Sequence, residues 1–133
     1  QLSQEEIEQQ IATNLSSVIY ACKCVSLKPG SHIINIASSS YSRGKKNYAL
    51  YSSAKAAVVN FTQALAEERP DLKINAAVPQ RTATKMRREN FPDEDPASLL
   101  PPDAVAREIL ELLMHPTLTG AIVEIRKELT EKD

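Results

Sequence analysis

Hydrophobic residues recur at spacings of three and four along the first part of the chain, the spacing of one face of an α-helix. The apolar positions are Ile7, Ile11, Leu15, Val18, Cys22 and Val25. Ser3 and Glu6 have the spacing of a capping box, and Pro29-Gly30 is a stop signal. The pattern therefore predicts a long amphipathic helix. Polar side chains that compete for backbone hydrogen bonds are expected to bend its middle. They are Asn14, Ser16 and Ser17.

Two short apolar runs, at residues 32–37 and 72–78, predict strands. The first run is nearly continuous in apolar residues, which is typical of a parallel strand buried on both faces. Between them a helix is predicted from about Tyr51 to Arg69, ended by Pro70. Its expected buried stripe is Ala54, Val58, Phe61 and Leu65. The strand-helix-strand order predicts a parallel pair joined by a right-handed crossover.

A third helix is predicted to start at Pro101-Pro102-Asp103, because proline and a carboxylate both suit a first helical turn. Its expected buried stripe is Val105, Ile109, Leu112 and Leu113. Residues 120–125 predict a third strand, and residues 128–133 a frayed polar tail. The fold class is α/β, with about three parallel strands and long helices.

Composition describes one soluble globular unit: 133 residues, 42% hydrophobic, 25% charged and net charge −1. The near-zero net charge gives no indication of nucleic-acid binding, and no apolar run reaches the roughly 20 residues that cross a membrane. Cys22 and Cys24 stand two positions apart and point to different helix faces, so neither a disulfide nor a zinc site is expected. Two buried thiols in a reducing cytoplasm are the simplest interpretation.

Tyr51 and Lys55 are the first candidates for chemistry. At four-residue spacing both side chains leave the same helix face. A free tyrosine has a pKa of about 10, and lowering it by about three units requires roughly 4 kcal/mol. A neighbouring ammonium shifts the pKa in that direction. With the hydroxyl of Ser38 nearby, the group could move a proton to or from a substrate oxygen. The pair alone is weak evidence, since a solvated helix face has the same spacing.

The order of these residues is more specific than the pair. A strand ends in Ser38-Ser39-Ser40, a loop follows, and Tyr51-Ser52-Ser53-Ala54-Lys55 opens a helix. This arrangement resembles the short-chain dehydrogenase/reductase family. The resemblance implies a general acid/base at Tyr51, a lysine at Lys55 that lowers its pKa, a substrate-orienting serine at Ser38, and a water-ordering asparagine at Asn14.

The resemblance also implies a Rossmann-like, doubly wound sheet and an NAD or NADP cofactor. Cofactor contacts are then expected from Tyr51, Lys55, Pro79, Thr82 and Thr84. No metal site is expected. The chain lacks the glycine-rich turn that cradles a pyrophosphate, since its glycines are the widely separated Gly30, Gly44 and Gly120. We therefore expect residues 1–133 to be the C-terminal half of a reductase domain, inactive alone. Gln80, where the family has a turn glycine, is a second departure.

A basic segment follows the second strand, with four cations between Arg81 and Arg88. Guanidinium groups suit phosphate because they form forked hydrogen bonds. Arg81, Arg87 and Arg88 are therefore candidate ligands of a phosphorylated substrate, although solvent-facing charges in a mobile lid would look the same. The segment resembles the reductase domain of enzymes that join a cytidylyltransferase to a ribulose 5-phosphate reductase and make CDP-ribitol. That resemblance implies NADPH as the reductant.

Two other functions are consistent with these residues. A non-catalytic dimerisation or regulatory module could keep the same scaffold, as the missing glycine turn and Gln80 suggest. A reductase of an unphosphorylated carbonyl compound is the other. An isolated half-sheet exposes a strand edge and a helix face, so oligomerisation is expected. The family resemblance implies a homodimer through the first two helices.

Overall fold

The structure is a computed structural model that describes residues 2–127. Its helices are α1 (Gln4–Ile11), α2 (Ser17–Cys24), α3 (Ala49–Glu68), α4 (Lys85–Asn90) and α5 (Pro102–Met114). Its strands are β1 (His32–Ile36), β2 (Lys73–Pro79) and β3 (Ile122–Ile125). The predicted polar tail at residues 128–133 lies outside the described residues.

The capping box at the start of α1 is confirmed. The Ser3 hydroxyl accepts a hydrogen bond from the Glu6 amide, and the Glu6 carboxylate accepts one from the Ser3 amide at 2.7 Å. Between α1 and α2 the helix widens into a π-turn at Ala12–Ser16. There the Asn14 amide group donates to the Gln10 carbonyl and the Ser17 hydroxyl donates to the Thr13 carbonyl. The predicted irregularity is therefore a π-turn, a feature that is frequent at functional sites.

The three strands form one parallel sheet, as predicted, and their order in the sheet is β1-β2-β3. Helix α3 connects β1 to β2, and α5 connects the loop after α4 to β3. The core lies on both sides of β2. Val58, Val59 and Val78 pack on the α3 side, whereas Leu100, Leu112 and Ile125 pack on the α5 side.

Strand β1 was predicted to be buried on both faces, and that prediction is wrong for most of its length. Only Asn35 of its five residues is buried, and Ile36 is 42% exposed. The cause is its place at the sheet edge, where a second neighbouring strand is lacking among residues 2–127. Strand β2 lies in the centre, and five of its seven residues are buried.

The predicted buried stripes of the helices are partly wrong. On α3, Ala54 and Val58 are buried, but Phe61 and Leu65 are half-buried and line a shallow groove against α2. Thr62 is fully buried instead. Its hydroxyl can be buried because it accepts a hydrogen bond from Asn35 and donates one to the Val58 carbonyl. On α5, Leu112 is buried whereas Leu113 is exposed.

Both cysteines are free, and they are less buried than predicted. Cys22 is half-buried and contacts the Asn35 side chain at 3.7 Å, whereas Cys24 is exposed at the end of α2. Across residues 2–127, every helix is too short or too polar to serve as a membrane span.

Candidate active site

A cleft opens at the carboxyl ends of β1 and β2, which is where open α/β sheets bind their ligands. Its volume is about 580 Å³. One wall is the start of α3 with the loop before it, and the other is the segment from Pro79 through α4. The lining residues that carry polar or charged chemistry are Ser38, Ser39, Ser40, Lys45, Tyr48, Tyr51, Lys55, Gln80, Arg81, Thr82, Thr84, Arg87 and Asn90.

Ser38 is held at the floor of the cleft by backbone bonds on either side of it. The Ala37 amide donates to the Ala77 carbonyl at 2.8 Å, and the Ser39 amide donates to the Pro79 carbonyl at 3.2 Å. The Ser38 oxygen accepts hydrogen bonds from the Ser40 hydroxyl at 3.1 Å and the Ser40 amide at 3.3 Å. With its oxygen accepting both bonds, Ser38 keeps its own hydroxyl hydrogen for a ligand.

Tyr51 and Lys55 leave α3 one turn apart and line the same cleft. The Lys55 ammonium lies 5.7 Å from the centroid of the Tyr51 ring and donates to the Ile36 carbonyl at 3.1 Å. That carbonyl is at the end of the edge strand, so the lysine ties α3 to β1. Burial lowers the pKa of Lys55 from its ordinary value. A half-buried ammonium beside a half-buried phenol is suited to proton transfer.

The residues predicted to contact a cofactor all line the cleft: Tyr51, Lys55, Pro79, Thr82 and Thr84. The Thr82 hydroxyl donates to the Gln80 carbonyl at 2.8 Å, and the Thr84 hydroxyl caps α4 by accepting from the Arg87 amide at 3.1 Å. The polar set at the strand ends fits the nicotinamide and ribose end of a dinucleotide. The chain's three glycines supply no cradle for the pyrophosphate end.

Gln80 is held by hydrogen bonds at the end of β2. Its amide donates to the Ile125 carbonyl at 3.0 Å, and its side-chain oxygen accepts from the Lys127 amide at 3.3 Å. These bonds join the end of β2 to the end of β3. The side chain also lines the cleft, so it narrows the space that a glycine would leave open.

The basic segment is ordered by one carboxylate. Glu94 accepts from Arg87 through Nε at 2.7 Å and Nη2 at 2.8 Å, and from Arg81 Nη1 at 2.6 Å. The Arg87 guanidinium also stacks on Phe91, with its carbon 3.8 Å from the ring centroid. Phe91 in turn stacks on Tyr48, centroid to centroid 6.3 Å. The segment is thereby fastened to the loop before α3.

Two predicted site residues do not line the cleft. Asn14 lies half-buried in the π-turn, with its amide group on Gln10. Arg88 is exposed, and its guanidinium donates to the Ala83 carbonyl at 3.1 Å. The structure therefore brings Ser38, Tyr51, Lys55, Arg81 and Arg87 into one cleft and leaves Asn14 and Arg88 outside it.

Three further residues of the cleft were missed as site residues: Lys45, Tyr48 and Phe91. Lys45 has no charged partner among residues 2–127, so it is a free cation facing the cleft. The ring of Tyr48 meets the Tyr51 ring edge to face at a centroid distance of 6.5 Å. The sequence contains only a weak indication of a site here. The loop at residues 43–46 contains several cations, but solvated loops contain cations as well. Among the described residues, no cluster of three or more His, Cys, Asp or Glu side chains could hold a metal ion.

Comparisons with known proteins identify relatives of this chain in sequence and in fold. The bifunctional ribulose 5-phosphate reductase/CDP-ribitol pyrophosphorylase of Haemophilus influenzae is 43% identical over 130 residues, covering 93% of this chain and 27% of that protein. A glucose/ribitol dehydrogenase-type short-chain dehydrogenase/reductase of Brucella melitensis superposes with a TM-score of 0.85 at 28% identity, covering 93% of this chain and 56% of that one.

An actinorhodin polyketide ketoreductase solved with NADPH superposes with a TM-score of 0.80 at 29% identity, covering 95% of this chain and 59% of that one. The chain thus spans about a quarter of the first relative and little more than half of each solved structure. The sequence profile described as short chain dehydrogenase matches residues 1–95. The chain therefore belongs to the short-chain dehydrogenase family of NAD(P)-binding oxidoreductases.

Proposed function

We propose that the full-length protein containing this chain reduces ribulose 5-phosphate to ribitol 5-phosphate with NADPH. The observation that carries the proposal is the 43% identity, over 93% of the chain, to a protein named for ribulose 5-phosphate reduction. Because the chain spans only 27% of that relative, we propose that it is the C-terminal half of the reductase domain. We also propose a nucleotide-binding half and a cytidylyltransferase domain elsewhere in the protein, with CDP-ribitol as the end product.

The reaction needs a proton donor at the substrate carbonyl oxygen, and we assign that role to Tyr51, the phenol one helical turn from Lys55. NADPH, when bound, supplies the hydride to the carbonyl carbon. The Tyr51 phenol then gives its proton to the oxygen, so a carbonyl becomes a hydroxyl. Lys55 keeps a positive charge beside the phenol and stabilises the phenolate that remains.

Ser38 holds the carbonyl oxygen. Its hydroxyl hydrogen is available because Ser40 occupies its acceptor sites. A hydrogen bond from Ser38 polarises the carbonyl and orients it toward Tyr51. We propose that Asn14, in the π-turn between α1 and α2, orders a water that returns a proton toward Lys55.

Pro79, Thr82 and Thr84 are proposed to contact the cofactor, together with Tyr51 and Lys55. The preference for NADPH over NADH is part of the proposal, and the NADPH in the similar polyketide ketoreductase structure supports it. The phosphate of the substrate is proposed to bind Arg81 and Arg87, with Lys45 as a third cation. Arg88, also a predicted ligand, does not line the cleft, and we assign its guanidinium to the hydrogen bond with the Ala83 carbonyl.

The assembly is proposed to be a cytoplasmic homodimer. Large apolar side chains stay exposed along α1 and α2, among them Ile7, Ile11, Tyr20 and Val25. A second copy covering this surface would bury apolar area that a lone chain exposes to water. Sedimentation of the full-length protein tests this point, and a monomer at micromolar concentration would contradict it.

Oxidation of NADPH by the full-length protein, with ribulose 5-phosphate and with ribulose, tests the function. The proposal expects turnover with the phosphate ester and a kcat/KM lower by at least about tenfold for ribulose. Equal kcat/KM values would favour a reductase of unphosphorylated carbonyl compounds. Failure both to turn over and to bind NADPH would favour the non-catalytic module.

A further inference from the structure

Glu94 has no place in the reaction described above, yet it organises the cationic wall of the cleft. Its carboxylate takes three hydrogen bonds, two from Arg87 and one from Arg81. The Glu94 side chain is only 14% exposed, less than either arginine. Hydrogen bonds from Arg87 hold the pKa of the Glu94 carboxyl below its ordinary value. The carboxylate is therefore an ordered anion beside two cations.

The geometry of the pair decides what Arg87 can still do. A guanidinium carries five N–H groups. Glu94 uses one on Nε and one on Nη2, which leaves both N–H groups of Nη1 and one of Nη2. The Phe91 ring, 3.8 Å away, fixes the plane of the guanidinium. Arg87 thus keeps one free edge in a fixed orientation.

The position of Glu94 decides between two roles for it. Arg87 and Arg81 line the cleft, and Glu94 is absent from the lining among the described residues. A carboxylate lying in the cleft would compete with an anionic ligand for the arginines. A carboxylate behind them holds them in place without occupying the ligand's position.

We infer that Glu94 is a positioning residue for an anionic group of the substrate, acting through Arg87. The inference rests on the proposed function, because it assigns the phosphate of that substrate to the free edge of Arg87. Pre-organisation is the physical basis: a guanidinium that is already oriented loses less conformational entropy when the ligand binds. Arg81, bound through a single nitrogen and 51% exposed, is the less constrained partner.

Glu94→Gln in the full-length protein tests the inference, with inorganic phosphate as the first probe. The amide keeps the shape of the side chain and removes its charge, so it loses a charge-assisted fork. We expect phosphate binding, measured by calorimetry, to weaken about tenfold or more. Glu89→Gln is the matched control. Glu89 makes only an exposed pair with Lys85 at 3.7 Å, and the same charge change there should leave phosphate binding within about twofold.

The sign of the effect separates the two roles. Tighter phosphate binding in Glu94→Gln would mean that the carboxylate competes with the ligand, and would overturn the inference. So would failure of the unmodified protein to bind phosphate. In an Arg87→Ala background, Glu94→Gln should add little further loss, because the role runs through Arg87. If Glu94→Gln weakens phosphate binding as much in the Arg87→Ala background as in the unmodified protein, Glu94 does not act through Arg87, and the inference is contradicted.

Kinetics provides the second readout. Glu94→Gln should raise KM for ribulose 5-phosphate about tenfold and leave KM for ribulose unchanged, with kcat within about threefold. Equal rises in both KM values would indicate general damage to the segment and would overturn the inference. If the unmodified protein does not reduce ribulose 5-phosphate, the proposed function fails, and phosphate calorimetry still decides the role of Glu94.

Discussion

The Lys55 ammonium lies 5.7 Å from the centroid of the Tyr51 ring while donating a hydrogen bond to the Ile36 carbonyl. The two side chains are one turn apart on α3, so their proximity follows from helix geometry. The bond to Ile36 is different, because it needs the end of β1 to lie against α3. Helix periodicity and sheet position thus combine to place the proposed proton-transfer pair.

Tyr51→Phe should lower kcat by about 10² to 10⁴-fold, because it removes the proposed proton donor and keeps the ring. No hydrogen bond in the described part of the chain uses the Tyr51 hydroxyl, so stability should change little. Initial rates of NADPH oxidation measure the effect. Tyr48→Phe is the control, since it removes a hydroxyl from the neighbouring ring and should change kcat by no more than a few-fold. Comparable losses in the two variants would remove Tyr51 from its role.

Lys55→Met should stabilise the protein at neutral pH and abolish activity. Burial lowers the pKa of Lys55 from 10.5, so the unfolded state binds the proton more readily than the folded state. Burying the charged Lys55 ammonium lowers the free energy of unfolding at every pH below the pKa of Lys55 in the folded protein. This loss disappears as the pH rises from that pKa toward 10.5, the ordinary lysine value. Methionine carries no charge. We expect a higher melting temperature for Lys55→Met at pH 7, with a smaller difference at alkaline pH.

Scanning fluorimetry of the full-length protein across pH gives that comparison. Lys46→Met, at an exposed position outside the cleft, should leave the melting temperature unchanged. A lower melting temperature for Lys55→Met at neutral pH would mean that the bond to Ile36 outweighs the desolvation cost.

Lys45→Ala should raise KM for ribulose 5-phosphate about tenfold and leave kcat nearly unchanged, because it removes an unpaired cation from the cleft. Lys46→Ala is the matched control: the next residue along, with the same charge, lies outside the cleft lining. Raised ionic strength should reduce the difference between the two variants, since salt screens the attraction. Equal KM values would show that Lys45 does not contact the substrate.

Ser40→Ala should impair the reaction through Ser38, the residue proposed to hold the substrate oxygen. Ser40 is buried, and its hydroxyl donates to the Ser38 oxygen at 3.1 Å. Loss of that bond leaves the Ser40 amide as the remaining donor to the Ser38 oxygen, so the Ser38 hydroxyl is held less firmly in its donating orientation. We expect a kcat about three- to tenfold lower with KM changed less. Ser42→Ala, exposed in the same loop, is the control, and an unchanged kcat in Ser40→Ala would exclude this role.

Asn75→Ala should cost about 2–4 kcal/mol of the free energy of unfolding. Asn75 is fully buried in β2, where its side chain donates to the Leu118 carbonyl at 2.9 Å and accepts from the Ala121 amide at 3.0 Å. Alanine leaves both backbone groups unpaired. Urea denaturation measures the loss, and Asn60→Ala, exposed on α3, should change stability by less than about 0.5 kcal/mol. A comparably small change for Asn75→Ala would mean that water replaces the lost bonds.

The sequence by itself determined the local elements and the pair on α3. Capping at Ser3, the helix stop at Pro70 and the apolar runs of the three strands are local in origin, and the structure confirms them. The spacing of Tyr51 and Lys55 follows from the helix repeat. The resemblance to one family added Ser38, which the structure places in the same cleft.

Tertiary structure decided which residues are buried and which cations are free. Strand β1 has the composition of a buried strand, but its place at the edge exposes it. Arg87 and Arg88 are adjacent in sequence, yet one lines the cleft and the other bonds to Ala83. Glu94 pairs with both Arg81 and Arg87 because the chain turns back after α4. Contacts between residues distant along the chain set these outcomes, and neither periodicity nor composition records them.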